Sequence, residues 1–254
     1  MKDEPNVDVE LSRKRLAAEK GDAEAQYRLA AAYATGAGVA QDLSEALRWV
    51  RLAADQGLAE AQYRLGLMYA TADGVEQDLA EAVRWTRLAV DQGHAAAQFN
   101  LGMFYAKAIG VPQDVGEVVR LMRLASDQGD AMAQFTLGAL YGLGEGVSQD
   151  LVEAMRWNRL AADQGHAKAQ HVLAGAYATG EGAPKDLAES LRWLRLAAEQ
   201  EEPGALMQLA DLYMTGEGVP KDIDEAIRLT RLAAKQGEPS AQEMIRKLNK
   251  LNDT

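Results

Sequence analysis

Two apolar-periodic segments, joined by a glycine-rich elbow, recur along the chain every 36 residues. In the first segment of one unit Ala61, Leu65, Met68 and Tyr69 fall on one helical arc, with Glu60, Arg64, Leu67 and Thr71 opposite and Tyr63 at the edge. In the second segment, at about 100° per residue, Ala46, Trp49 and Ala53 share one face, and Arg48, Arg51 and Asp55 the other. A period of 3.6 in both segments with a breaker between them predicts a helix hairpin. Gly21, Gly57, Gly93, Gly129, Gly165 and Gly237 close the units on one lattice, with Glu201 in the vacant slot. Self-similarity at this length predicts a stack in which each hairpin buries its apolar face against its neighbours, and hence an all-α solenoid.

Six units are expected, at 22–57, 58–93, 94–129, 130–165, 166–201 and 202–237. A helical half unit at 7–21 and a capping helix at 238–251 flank them, the whole of 1–254 forming one domain. Arg13 stands where the first half unit would carry tryptophan, and Arg246, Lys247 and Asn249 replace the Gly, variable and Tyr positions in the last helix. Polar substitutions there suit the ends of a stack and argue against fibre-like polymerisation. Met1 to Asn6 and the tail beyond Leu251 are expected to fray. Glu201 followed by Pro203 marks the junction of units five and six as the expected irregularity in the stack.

Each second helix is announced by an Asp-x-x-Glu pair, from Asp42 with Glu45 through Asp222 with Glu225. That spacing predicts a capping box, the aspartate accepting from the third backbone amide and the glutamate reaching back, worth about 1 kcal/mol per helix. Six such carboxylate pairs are therefore structural and not catalytic dyads. Arginines recur as Arg48 and Arg51, Arg84 and Arg87, and onward to Arg228 and Arg231. A basic track is one reading. A ladder of helix pairs, Glu45 with Arg48 and Asp55 with Arg51, leaves the face roughly neutral and is preferred. The elbow reads Gly-x-Gly in four units, while Ala72 and Ala108 replace its first glycine in units two and three. No Lys-Ser/Thr pair follows, and each helix opens on an aspartate, so these are turn residues with positive φ and not a phosphate cradle.

Composition narrows the picture. Hydrophobic residues make up 48% of the 254, only 6% aromatic, which suits close helix packing. Thirty-eight acidic against 27 basic residues, a net charge of −11, disfavour nucleic acid and anionic membrane as partners. No segment is long and apolar enough to span a bilayer, and the charged start has no signal-peptide core, so a cytoplasmic location is expected if Met1 is the natural start. With no cysteine, disulfides and thiolate sites are excluded.

Leu-Gly-x-x-Tyr, then Gly-x-Gly-Val-x-Gln/Lys-Asp, then Glu-Ala-x-Arg-Trp and Ala-Ala-Asp-Gln-Gly, as at Leu65 to Tyr69 and Leu137 to Tyr141, resembles the Sel-one-like repeat (SLR) family of bacterial type, a relative of the tetratricopeptide repeats. The resemblance covers nearly the whole chain. It implies a right-handed α/α superhelix with first helices lining a concave surface, and adaptor or scaffold work. It does not select one process.

Packing demands are alike at every level of a stack, so the positions free to differ between units are the ones packing does not dictate. The outer arc of the first helices is such a set. It predicts a concave groove for a protein or peptide partner, with charge at the amino-terminal end and apolar residues in the middle. Its members include Glu24, Arg28, Glu60, Arg64, Leu67, Asn100, Met103, Lys107, Met132, Leu143, Lys168 and Asp211. Tyr27, Tyr63, Phe99, Phe135, His171 and Met207 would flank the groove or pack against the next unit; the two readings stand level.

No catalytic, metal or cofactor site is expected. His94 and His166 occupy equivalent positions two units apart, roughly 20 Å if each helix layer adds about 10 Å. A role near a helix start, where Asp22 and Asp130 stand in other units, fits them better. The readings carried forward are a non-enzymatic interaction scaffold, an immunity or inhibitor protein that neutralises a toxin, and, remotely, a β-lactamase-like hydrolase, for which no serine with a paired lysine is seen. A monomer is expected, with a weak homodimer as the alternative.

Overall fold

The computed structural model describes residues 15–252, with side chains up to Arg246. Arg13 and the start expected to fray lie outside the described residues, as do the side chains of Lys247 and Asn249 and the tail at 253–254. The described residues are helical, with no strand among them. Residues 15–19 form α1. The hairpins are α2 (Ala23–Thr35) with α3 (Leu43–Asp55), α4 (Ala59–Thr71) with α5 (Leu79–Asp91), and α6 (Ala95–Lys107) with α7 (Val115–Asp127). They continue as α8 (Ala131–Leu143) with α9 (Leu151–Asp163), α10 (Ala167–Thr179) with α11 (Leu187–Glu199), and α12 (Pro203–Thr215) with α13 (Ile223–Lys235), before α14 (Pro239–Asn252). The chain divides between Gln128 and Gly129 into two compact units. Within each, the two helices of a hairpin pack together and the second packs on the first helix of the following hairpin, as in α3 on α4 and α9 on α10.

The second helices begin as expected on aspartate. Asp42 accepts from the Ser44 and Glu45 amides at 2.9 and 3.0 Å, and Asp114 from Glu117 at 3.1 Å. The glutamate, however, does not reach back to complete a capping box. Its carboxylate turns down the helix, where Glu45 accepts from the Trp49 indole at 3.0 Å and pairs with Arg48 at 3.3 Å. Glu81 does the same with Trp85 and Arg84, and the Arg84 guanidinium, first among the causes, holds the Glu81 carboxyl below its usual range. A buried indole needs an acceptor more than an exposed helix start needs a second cap. Trp157 is the exception, its indole N–H having no partner.

The second arginine also departs from expectation. The pair with the aspartate four residues on forms at Arg159 and Asp163, 3.1 Å apart. Arg51 and Arg87 instead donate to the hydroxyls of Tyr69 and Tyr105 on the following hairpin, the latter at 2.8 Å. The side chains tie consecutive hairpins rather than bracing one helix.

Elbow geometry follows the glycines. Gly36 has φ 76° and returns its amide to Ala32 O at 2.8 Å, a left-handed C-cap. Ala72 and Ala108 hold the same conformation at φ 60° and 54°. The second elbow glycine has a further reason to lack a side chain, since a Cβ at Gly110 would lie 2.5 Å from Leu79 O of the preceding hairpin.

Glu201 is not a geometric irregularity. At φ 59° it keeps the turn, and its amide reaches Ala198 O at 2.9 Å just as that of Gly57 reaches Ala54 O at 3.0 Å. The departure is one of backbone strain, not of path. An L-residue in this region carries roughly 1–2 kcal/mol that glycine does not. Replacing Ala108 with glycine should therefore stabilise the protein by about 1 kcal/mol. Urea unfolding of Ala108→Gly should show a raised midpoint at unchanged slope.

Candidate protein-binding face

The outer arc of the first helices differs in kind between the two compact units. In the first, most of its charges are already spent. Arg28 pairs with Glu24 at 3.0 Å, and Arg64 reaches into its own elbow to pair with Asp73 at 3.0 Å. Glu60 accepts from the Tyr27 hydroxyl at 3.1 Å and meets His94 Nε2 at 2.7 Å. Burial first, then the Glu60 charge, pushes the Tyr27 hydroxyl up to about 12, so it stays a donor. The Asn100 amide donates to the Tyr63 hydroxyl. Leu67 and Met103 are half-buried, and Lys107 is exposed at the end of α6.

In the second unit the arc is apolar and open. Met132, Leu143 and Val172 are 50%, 67% and 43% exposed. Lys168 and Asp211 are exposed beside them and form no ion pair among the described residues. Met207 is half-buried.

Three of the aromatic slots pack against the next unit. Tyr63 lies 4.8 Å from the His94 ring, and Phe135 stacks on His166 at 4.6 Å. His171 sets Nδ1 3.0 Å from Glu202 and Nε2 3.1 Å from Gln208. Each packs against the start of the next first helix, while remaining half-exposed at the edge of the arc. The register explains it: an aromatic residue on one turn of a first helix faces the N-cap one hairpin on.

Those N-caps include the two candidate histidines. His94 Nδ1 accepts from the Ala97 amide at 3.1 Å, and His166 Nδ1 from Ala169 at 3.2 Å, as Asp22 and Asp130 do in their units. The ring must be neutral at Nδ1 to cap. Among the described residues no three His, Asp or Glu side chains gather to hold a metal, and no helix is long and apolar enough to cross a membrane.

The architecture and the open arc define a repeat protein of stacked α/α hairpins whose free surface is a helix face rather than a cleft of converging polar groups. The Sel1 repeat model matches residues 23–58, 59–94, 95–130, 131–166, 167–202 and 203–238, and the chain belongs to that family. Each match begins one residue after the units counted from Asp22. Among solved structures it is similar to c5321, a protective antigen present in uropathogenic Escherichia coli strains that displays an SLR fold, at 38% identity and TM-score 0.85. The match covers 91% of this chain and 50% of that one, so the chain spans about half the length of that relative. A Sel1 repeat protein from Oxalobacter formigenes is 29% identical, with 89% and 94% of the two chains covered and TM-score 0.77. The immunity protein PA5088 from Pseudomonas aeruginosa is 22% identical over 78% and 75%, TM-score 0.51, a likeness of fold alone. A comparison with curated proteins gives no match.

Burial first, then the nearby Lys168 charge, lowers the His166 pKa below its ordinary 6.5. The unfolded chain then binds the proton more readily, so the stability this cap contributes is complete above the unfolded value, falls as pH drops through it, and is gone below the folded value. Against His166→Asn, which caps without titrating, the wild type should lose about 1 kcal/mol more between pH 7.5 and pH 5. Urea unfolding at the two pH values measures that difference.

Proposed function

We propose that the chain is a non-catalytic adaptor that binds a protein or peptide partner through the first-helix face, with the apolar stretch from Met132 to Val172 as its centre. The observation that carries this reading is the contrast along one register. Where the first compact unit consumes most of its arc's charges in internal pairs, the second leaves large apolar side chains in water. Exposed apolar residues that sit on one face of consecutive helices are what a partner would cover. The flanking residues of the first unit, Arg28, Glu60 and Arg64, would then be a pre-organised polar margin rather than free charges seeking acids. The non-catalytic part rests on the same pairing. Each polar group of the arc named above either has a neighbour that satisfies it or stands alone on the surface, and none forms a nucleophile with a base.

A partner of this kind is consistent with membership of a repeat family used for protein interactions. An immunity protein would use the same kind of surface, but the P. aeruginosa likeness is of fold only and adds nothing to that reading.

The test compares two sets of substitutions in the full chain, each confirmed folded by circular dichroism. Met132→Ala, Leu143→Ala and Val172→Ala together should weaken capture of the native partner, read by affinity purification from the source cell with quantitative mass spectrometry, by about tenfold or more. Arg48→Ala, Arg84→Ala and Arg192→Ala on the opposite side should leave it within about twofold. The reverse pattern would sink the proposal.

A further inference from the structure

Two cavities occupy the same register three repeat periods apart, one in each compact unit. The first, about 260 Å³, lies between α2 and α4, and the ion pair of Arg64 and Asp73 stands in its lining. The second, about 500 Å³, lies between α8 and α10 over α9. The residues that differ explain its size. Val172 replaces Arg64, so Glu181, the counterpart of Asp73, is left at the rim with no ion pair among the described residues. Gly142 replaces Ala34, and Gly175 stands where the earlier unit has Leu67. The wall also gains a polar group, since Asn158 replaces Val50. Asn158 is 4% exposed; its Nδ2 donates to Ala154 O at 2.9 Å, and its Oδ1 has no partner. A buried carbonyl without a donor costs on the order of 1–3 kcal/mol.

An apolar space of ligand size with one unpaired acid at its mouth describes its complement. We propose that this cavity receives an indole side chain from a protein partner, a flanking cationic residue of the partner pairing with Glu181. The partner's cation takes the role that Arg64 fills within the chain in the first unit. Tryptophan is the residue most suited to such a central anchor, having the largest apolar surface of any side chain. A chain rather than a free molecule is the occupant, because Met132, Leu143 and Val172 extend the apolar surface beyond what one ring covers. The inference rests on the first-helix face being the binding surface.

The probe is the tripeptide acetyl-Lys-Trp-Lys-amide with 5-fluorotryptophan, titrated with full-length protein and read by fluorine NMR, which detects millimolar binding. A saturable shift is expected, weakened about tenfold by Gly175→Leu, whose Cβ meets nothing within 4 Å and so fills the cavity without disturbing α10. Glu181→Gln should weaken it about fivefold. Four results would overturn the proposal: no saturable shift, binding unchanged in Gly175→Leu, free 5-fluorotryptamine binding as tightly as the tripeptide, or a dimer in sedimentation that Gly175→Leu dissociates. If Gly175→Leu retains the native partner while the Met132, Leu143 and Val172 triple variant loses it, the anchor is wrong and the face reading stands. If both retain it, the face reading fails as well.

Discussion

The stack depends on one buried side-chain amide in each of its first five hairpins. Gln26 in α2 donates to Ala18 O at the end of α1, 3.1 Å away, and accepts at 2.7 Å from Gln56, which caps the end of α3. One amide thus joins three successive helices and satisfies a carbonyl that the end of the first would leave without an intrahelical donor. Gln62 repeats the link to Ala54 O and Gln92, and Gln170 to Ala162 O and Gln200. Alanine-rich faces can slide on one another at little cost, because apolar contact is non-directional. A buried amide cannot, since each displaced hydrogen bond leaves a polar group dry at about 1–3 kcal/mol. The glutamines therefore set the register that apolar packing only permits.

The same link accounts for the lattice failure. In the sixth hairpin Leu206 takes the glutamine position, so Gln236 has no amide to meet, and it turns instead to the Glu201 carboxylate. Two departures that look independent in the sequence, 201 and 206, are one exchange in space. Glu201 holds a strained left-handed turn and supplies the acceptor that the missing glutamine would have been.

Much of the fold was legible because it is local or periodic. Hairpin boundaries, aspartate N-caps, positive-φ elbows and the buried Ala46, Trp49 and Ala53 face all follow from spacing within a dozen residues. What escaped was the destination of side chains that leave their own helix. Glu45 offers its carboxylate to an indole four residues on, and Arg51 donates to a tyrosine eighteen residues on. Spacing alone admitted both these and the helix pairs expected. The outer arc was legible as a set of positions, but not its internal pairing, since Glu60 meets His94 across 34 residues and Arg64 meets Asp73 in an elbow. A cavity was harder still. It is made by what Gly142, Gly175 and Val172 lack, and absence has no periodicity.

Where helices cross within a hairpin, the chain changes residues in complementary couples. A Cβ at Gly66 would lie 2.6 Å from Thr86 Oγ1, one at Gly102 2.5 Å from Met122 Cε, and one at Gly138 2.8 Å from Asn158 Nδ2. Each of these glycines leaves the room that the side chain on the second helix fills, as close packing requires. In the other hairpins Val50, Leu194 and Thr230 stand with Ala30, Ala174 and Ala210 instead. Asn158 fits this rule by size but breaks it by polarity, bringing an amide oxygen into a crossing that valine, threonine, methionine and leucine fill elsewhere. Volume alone would have been met by leucine, which the next hairpin uses as Leu194. Packing therefore explains why a side chain of this size stands at 158, while its unsatisfied oxygen, closed off from solvent against Gly138, has no explanation in the packing.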